Sequence, residues 1–311
     1  MSYSITSYKD ETTMEPWPAL ADRAFCLTGF SGKSTLFFYD SPPKEASSKE
    51  PVFILIHGLG DEADSFRRLI PHLNSRGFRV LALDLPGFGR SVARGKINVK
   101  KHARAVLKLI EAACGGASVF LAGNSMGAVI AEIAAFKKPD LIKGLILIDG
   151  SIPGGPKNPG FLALLKLLFC KKWYRAYRSN PEKAWASLYP YYADLDRMPR
   201  EDRDFLKRRV MARVESPTQE RAFFATQRSL VRIMLGATGS YSAKIKKYKG
   251  SILLLWGDLD NIIPLSSAEA FEALREDIVL KIIPGAGHLP HQEKPDETAR
   301  RMADFAEQYF G

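Results

Sequence analysis

The strongest chemical signal in the sequence is a serine between two glycines, in the segment Gly123-Asn124-Ser125-Met126-Gly127. An aliphatic run (VFLA) precedes the segment and a helix-patterned run (MGAVIAEIAAF) follows it, which places Ser125 at a strand-to-helix turn. Small neighbours let such a turn be sharp, so that the hydroxyl stands clear of the strand beside the positive end of the helix dipole. We therefore predict that Ser125 is a nucleophile.

A serine hydroxyl acts as a nucleophile when a base removes its proton, and a carboxylate orients that base. Among the five histidines we favour His288 as the base, because it follows a glycine-containing turn (PGAG) after the last predicted strand. His291, three residues further along, is the alternative. We interpret His57 as a residue that braces its loop, and His72 and His102 as surface or packing residues.

Two aspartates follow the seventh predicted strand, in the segment WGDLDNIIP. Asp258 and Asp260 could each orient the histidine, and we favour Asp260, which directly precedes the Asn-Ile-Ile-Pro turn. Ser125, Asp260 and His288 each follow a predicted strand, and the carboxyl ends of parallel strands meet at one edge of a sheet. The three side chains are therefore predicted to form a catalytic triad in the chain order Ser, Asp, His.

The loop after the third predicted strand, His57-Gly58-Leu59-Gly60, is a candidate site for stabilising negative charge. Acyl transfer requires N–H groups aimed at the oxyanion that forms on the substrate. Flexible glycines let the Leu59 N–H turn inward, and the Met126 N–H at the start of the helix is the natural second donor. We interpret a second loop on the same edge, residues 84–91 (DLPGFGRS), as a turn that stabilises the fold.

The elements that must position these residues alternate between strands and helices. The predicted strands cover residues 24–29, 36–40, 52–57, 79–84, 118–122, 145–149, 252–256 and 279–284. The predicted helices cover residues 62–74, 99–113, 126–137, 267–274 and 295–308. Several strands are apolar at nearly every position, as in strands buried on both faces of a parallel sheet. The pattern predicts an α/β fold with a doubly wound, mostly parallel, eight-stranded sheet and an antiparallel hairpin at one edge.

The alternation of predicted strands and helices stops between residues 151 and 250, which contain no convincing strand. This stretch predicts a helical cap inserted after the sixth strand, with a core formed by residues 1–150 and 251–311. The insertion is strongly basic. It holds 21 Lys and Arg against 8 Asp and Glu, whereas the rest of the chain holds 24 against 26.

One segment of the insertion, residues 161–170 (FLALLKLLFC), is strongly apolar and is followed by a basic and aromatic segment, residues 171–178. Such a helix can lie in a membrane interface, or its apolar face can roof a substrate pocket while its basic residues face water. We favour the pocket roof, and both arrangements predict an apolar substrate group. The positive charge favours anionic groups or lipid surfaces. No recognition motif accompanies the charge, so no nucleic-acid partner is predicted.

The remaining motifs do not indicate a metal or a cofactor. Cys26, Cys114 and Cys170 are far apart and outside metal-ligand spacing, which predicts reduced thiols in a cytoplasmic protein. Residues 29–35 (GFSGKST) end like a phosphate-binding loop but lack its first glycine, so we interpret them as a hairpin turn. The first twenty residues show no signal-peptide pattern.

Taken together, the segments HGLG, DLPGFGRS, GNSMG, WGDLDNIIP and GAGHLPHQEKPDE resemble the α/β-hydrolase superfamily, particularly its capped single-domain members. The resemblance covers about residues 24–150 and 250–311. It implies a serine hydrolase with Ser125, Asp260 and His288 as the triad and the Leu59 and Met126 amides as the oxyanion hole. The expected reaction is hydrolysis of a carboxylic ester with an apolar, lipid-like acyl group through an acyl-enzyme.

Two other hypotheses remain open. The GNSMG elbow and HG loop are also similar to the C–C hydrolases that cleave ring-fission products of aromatics. Those enzymes usually have a glycine-rich oxyanion loop and a Trp directly after the histidine, where this chain has Leu59 and Leu289. A non-catalytic binding protein on the same fold is the third hypothesis. Epoxide hydrolases and haloalkane dehalogenases are excluded, because they carry Asp at the position of Ser125.

Overall fold

Within the described residues, which are 3–9, 14–43, 45, 51–151 and 171–309, the computed structural model has nine strands in one sheet. The strands are β1 (Ser4–Ser7), β2 (Ala24–Thr28), β3 (Leu36–Ser41), β4 (Val52–Ile56), β5 (Arg79–Leu83), β6 (Val119–Asn124), β7 (Ile142–Ile148), β8 (Ser251–Gly257) and β9 (Ile278–Ile283). Their order across the sheet is β1-β2-β3-β5-β4-β6-β7-β8-β9. The six strands from β4 to β9 are parallel to one another, whereas β1, β2 and β3 pair antiparallel with their neighbours.

Helices cover both faces of this sheet. The α-helices of the described residues are α1 (Leu69–Asn74), α2 (Val99–Ala113), α3 (Met126–Lys137), α4 (Lys171–Ala176), α5 (Pro181–Ala186), α6 (Arg200–Glu215), α7 (Pro217–Lys247), α8 (Ser266–Glu272), α9 (Pro290–Glu293) and α10 (Pro295–Glu307). Side chains of α1 and α10 pack on one face, and side chains of α2, α3 and α8 pack on the other. The predicted doubly wound α/β fold is therefore confirmed.

The side chains of β4 point alternately to the two faces of the sheet, and helices cover both faces. Phe53 and Leu55 belong to the core cluster that includes α1 and α10, whereas Ile54 and Ile56 belong to the cluster that includes α2 and α3. All four side chains are fully buried. Successive side chains of a strand point to opposite faces, so a strand covered on both sides must be apolar throughout.

Two details of the predicted fold were wrong. The sheet has nine strands rather than eight, because β1 lies outside the β2–β3 hairpin as an edge strand. Its sequence, SITS, is short and exposed and carries no apolar pattern. The helix predicted over residues 62–74 is a 3-10 turn at Ala63–Phe66 followed by α1. Pro71 lacks an N–H and its ring would clash with the carbonyl of Arg67 in a continuous helix.

The insertion between β7 and β8 is helical from α4 to α7 in its described part, residues 171–250, and contains no strand there. The apolar segment at residues 161–170, and Cys170 within it, lie outside the described residues. Among the helices that the structure describes, none combines the length and the apolar character that a bilayer crossing requires. The cytoplasmic location stays a prediction.

The loop at residues 84–91 stabilises the fold, as predicted. The carboxylate of Asp84 accepts hydrogen bonds from the backbone N–H groups of Ala63 and Arg90, both at 2.7 Å. The buried Arg90 guanidinium forms ion pairs with Asp84 at 2.9 Å and Asp64 at 2.8 Å, and it stacks 3.9 Å from the ring centre of Phe37. One arginine therefore joins β3, the residues after β4 and the loop after β5.

We expect Arg90→Met to lower the free energy of unfolding by about 3–5 kcal/mol, because it removes the buried cation that pairs with the carboxylates of Asp64 and Asp84. Urea denaturation followed by circular dichroism measures this loss. Arg94→Met, three residues after this loop and exposed, is the control and should change stability by less than about 0.5 kcal/mol. Equal stability of the two variants would contradict the structural role of Arg90.

Candidate active site

Ser125 lies at a sharp turn between β6 and α3, with φ 54° and ψ −116°. Residues other than glycine rarely adopt this backbone conformation. Close packing holds it: a Cβ on Gly127 would lie 2.1 Å from the carbonyl oxygen of Ile56, and one on Gly123 would lie 2.2 Å from the carbonyl carbon of Gly127. The Ser125 N–H donates to the Ile148 carbonyl of the neighbouring strand at 2.8 Å. The strained turn is thus fixed by contacts with both β4 and β7.

His288 and Asp260 form a buried pair at the same edge of the sheet. The Nδ1 atom of His288 lies 2.8 Å from Oδ2 of Asp260. The other carboxylate oxygen of Asp260 accepts from the Ile262 and Ile263 N–H groups at 2.7 and 3.0 Å. The carboxylate accepts a hydrogen bond from Nδ1–H, and this tautomer of the neutral ring leaves Nε2 free to accept a proton.

The two alternatives left open by the sequence have other partners. Asp258 is exposed and accepts a hydrogen bond from the Gly285 N–H at 2.7 Å. His291 is buried, and its Nε2 lies 2.8 Å from Oγ of Ser65. Burial lowers the pKa of His291 to about 3, so its ring is neutral near pH 7. The structure therefore pairs Asp260 with His288, and Asp258 and His291 brace loops.

Asn124 links the serine turn to the histidine loop. Its buried Nδ2 group donates to the carbonyl oxygens of Ile148 at 3.2 Å and His288 at 3.0 Å. Gly150 completes the contact, because a Cβ there would lie 2.4 Å from the carbonyl oxygen of Ser125. Nothing in the sequence marked Asn124, since any residue type fits the variable position of the Gly-x-Ser-x-Gly pattern.

The predicted donor loop passes beside Ser125. A Cβ on Gly58 would lie 3.5 Å from Cβ of Ser125, and the loop turns at Gly60 with φ 81°. Within the described part of the chain, the Leu59 and Met126 N–H groups donate to no backbone carbonyl. The role of these two N–H groups as oxyanion donors stays a prediction.

His57 braces this loop, as expected from the sequence. Its Nε2 accepts from the Leu85 N–H at 3.0 Å, which makes Nδ1 the donor to the Gly58 carbonyl at 2.7 Å. Burial lowers the pKa of His57 and keeps the ring neutral. His102, also buried, contacts Oγ1 of Thr226 through Nε2 at 2.9 Å. Neither histidine is placed to serve as a base for Ser125.

A family model described as the alpha/beta hydrolase family matches residues 53–301. The chain belongs to the alpha/beta hydrolase family. Lipase 1 of Psychrobacter immobilis is 26% identical over 270 residues, covering 82% of this chain and 76% of the lipase. A 2-hydroxy-6-oxo-6-phenylhexa-2,4-dienoate hydrolase of Comamonas testosteroni is 29% identical over 278 residues, covering 85% and 90%. A solved putative lipase of Acinetobacter baumannii superposes with a TM-score of 0.76 at 22% identity, covering 92% and 91%.

In this alpha/beta hydrolase the helical insertion contacts the donor loop through buried charges. Glu62, two residues after that loop, pairs with Arg209 and Arg213 of α6, the latter at 2.8 Å. Burial by itself would raise the pKa of Glu62, but the two guanidinium groups hold it well below its usual range. A third buried pair joins Arg67 to Asp202 of α6 at 2.6 Å.

The insertion also contacts the histidine loop. The His288 N–H donates to the Tyr191 carbonyl at 2.9 Å, and the adjacent Leu289 packs in one cluster with Leu206 and Val210 of α6. Phe223 of α7 reaches the donor loop, where a Cβ on Gly60 would lie 3.1 Å from its ring. Both loops of the candidate site are thus partly held by the insertion.

Asp149 is a further residue at the site that the sequence did not indicate. Among the described residues, the one group of three potential metal ligands at close range is Asp149, Asp260 and His288. The hydrogen bond between Asp260 and His288 already uses their facing atoms. We therefore treat this group as a set of proton-sharing side chains.

We expect Asn124→Ala to lower the free energy of unfolding by about 1–3 kcal/mol, because it removes the donor to the His288 carbonyl oxygen and one of the two donors to the Ile148 carbonyl oxygen. Urea denaturation is the measurement. Asn261→Ala is the matched control, since Asn261 is exposed in the loop beside Asp260, and it should cost less than about 0.5 kcal/mol. If both variants lost the same small amount, Asn124 would not join the serine turn to the histidine loop.

Proposed function

We propose that this protein is a serine esterase that hydrolyses a carboxylic ester with an apolar acyl group through an acyl-enzyme. One observation carries the proposal: the buried Asp260–His288 pair is tied by Asn124 to the strained turn that presents Ser125. Family membership and the lipase among the relatives support it.

In this mechanism the Ser125 hydroxyl attacks the ester carbonyl while Nε2 of His288 takes its proton. Asp260 keeps the ring oriented through Nδ1–H and stabilises the imidazolium. The Leu59 and Met126 N–H groups stabilise the oxyanion of the tetrahedral intermediate. Collapse of this intermediate expels the alcohol, which takes the proton from His288. Water then attacks the acyl-enzyme by the same route and releases the acid and free Ser125.

An aromatic cluster on the insertion supports an apolar acyl group. Tyr174, Phe223 and Phe224 are buried and contact one another at ring distances of 5.2 to 5.6 Å. Phe223 adjoins the donor loop at Gly60, so the cluster lies next to the proposed oxyanion hole. An ester or lipid-like small molecule fits these surroundings. Contact of the basic insertion with a membrane surface stays a prediction.

A second candidate function is hydrolysis of a C–C bond in a vinylogous diketone acid, favoured by the relative from Comamonas testosteroni. The basic insertion would then bind the substrate carboxylate. Leu289, where those enzymes usually have Trp, packs with α6. This candidate requires a ring-fission product to be a good substrate and simple esters to be poor ones.

We expect Ser125→Ala to lower kcat on p-nitrophenyl butyrate by at least about 10⁴-fold, because the nucleophile is lost. Steady-state kinetics measure this change. Ser118→Ala, exposed just before β6, is the control and should retain wild-type turnover.

A fluorophosphonate probe should label the wild type and leave Ser125→Ala unlabelled. Undiminished turnover by Ser125→Ala would refute the proposed function, and absence of labelling in the wild type would favour a non-catalytic binding protein.

We expect kcat/KM to rise with acyl length from p-nitrophenyl acetate to the hexanoate, by up to roughly fourfold per methylene if each is fully buried. Phe223→Ala should flatten this rise, because it removes apolar surface beside Gly60. Phe136→Ala, at the carboxyl end of α3, is the control and should preserve it. A flat wild-type series would contradict an apolar acyl site formed by the insertion.

A further inference from the structure

A second buried aspartate accompanies the pair of Asp260 and His288. Asp149 directly follows β7, is fully buried and has φ 46°, a left-handed conformation that is uncommon outside glycine. Its N–H donates to the Leu255 carbonyl at 3.0 Å, and its Oδ1 accepts from the Gly257 N–H at 2.9 Å. Its Oδ2, also buried, has no hydrogen-bond partner among the described residues.

The carboxyl group of Asp149 lies beside the pair of Asp260 and His288. One carboxyl oxygen of Asp149, one of Asp260 and one ring nitrogen of His288 all lie within 4.8 Å of one another. Glu293 is the further charged group that acts on Asp149, and it is also acidic. Thus the charges of two carboxylates act on Asp149, and among the described residues His288 is the neighbouring group that can become cationic.

Two carboxylates this close cannot both remain ionised in a buried site without a large repulsive cost. The hydrogen bonds decide which of them holds the charge. Asp260 accepts from the Ile262 and Ile263 N–H groups and from His288, whereas Asp149 accepts from the Gly257 N–H alone. Burial and the negative charge of Asp260 raise the pKa of Asp149 well above its usual range.

We propose that Asp149 is a positioning residue whose carboxyl group stays protonated and donates its Oδ2–H to Asp260, holding the carboxylate that orients His288. The proposal rests on the proposed function of the Ser125 site. Asp149 keeps its proton throughout the reaction, because the transferred proton moves from Ser125 to His288 and then to the leaving alcohol. The added donor fixes Asp260 and lowers its freedom to rotate away from the ring.

The backbone at Asp149 suggests a matched set of variants. Asparagine tolerates the left-handed conformation, and its amide N–H can replace the carboxyl O–H as a donor. Glycine tolerates the conformation equally well but has no donor. Asp149→Asn and Asp149→Gly therefore differ in the proposed hydrogen bond, and neither strains the chain.

The first experiment measures kcat, KM and the pH profile of both variants on p-nitrophenyl butyrate. Asp149→Asn should keep kcat within about threefold and leave the acid limb of kcat/KM at the wild-type pH, since the charge near His288 is unchanged. Asp149→Gly should lower kcat on the order of 10–100-fold with little change in KM, because Asp260 is no longer fixed. Wild-type kcat in Asp149→Gly would overturn the proposal. So would a large loss in Asp149→Asn with the acid limb moved to lower pH, which would mean that an ionised Asp149 stabilises the imidazolium.

The second experiment is independent of activity and compares urea midpoints of the wild type and Asp149→Asn at pH 5 and pH 8. A folded-state pKa raised above the unfolded value of about 3.9 means that the native state holds the proton more tightly, so stability falls as pH rises towards the folded pKa. Asparagine does not titrate. The midpoint of Asp149→Asn relative to the wild type should therefore be higher at pH 8 than at pH 5.

A midpoint difference equal at the two pH values would overturn the proposal, because Asp149 would then be ionised in the folded protein throughout this range. The same comparison in the Ser125→Ala background tests the protonation of Asp149 in a protein without the proposed nucleophile. It therefore separates this proposal from the proposed esterase function. If the wild type hydrolyses no ester, the proposed function fails, yet this pair of midpoints still reports whether Asp149 holds a proton.

Discussion

The close approach of α3 to the carboxyl end of β4 sets the geometry of the site. At Gly127 the helix backbone lies so near Ile56 that a single added carbon would overlap its carbonyl oxygen. This contact forces the chain to reverse within one residue, and the reversal places Ser125 in its strained conformation. Strain of this kind persists only where the surrounding structure holds it. Here β4, β7 and Gly150 all contact the turn.

Buried ion pairs join the insertion to the core. Glu62, Arg209 and Arg213 form one cluster, and Arg67 with Asp202 forms another, so α6 docks through ion pairs as well as through apolar contacts. Buried pairs lose much of their Coulombic gain to desolvation, but they tolerate few alternative arrangements. This arrangement favours one defined position for α6 above the donor loop. Much of the positive charge of the insertion, by contrast, lies on exposed side chains.

Much of the fold could be predicted because its signals are local and repeated. The bounds of α2 and α3 agree with the predicted helices, and the buried parallel strands were recognised by continuous apolar runs. The edge strand β1 could not be found, since its four exposed residues include a single apolar side chain, Ile5, and show no alternating pattern. The Asp260–His288 pairing followed from chain order and strand ends. Asn124 and Asp149 were missed, because their importance comes from neighbours that are distant in sequence and meet after folding.

The hydrogen bond from the His288 N–H to the Tyr191 carbonyl makes the position of the histidine loop depend on the insertion. An insertion that contacted the core only at its two ends could be replaced by another without disturbing the candidate site. Here the segment that holds the proposed base is anchored on one side by Asn124 of the core and on the other by the insertion. Divergence of the insertion towards new substrates is therefore constrained, because each new version must preserve this anchor. Under the proposed function, a change in the insertion that alters substrate specificity also acts on the loop that positions the base.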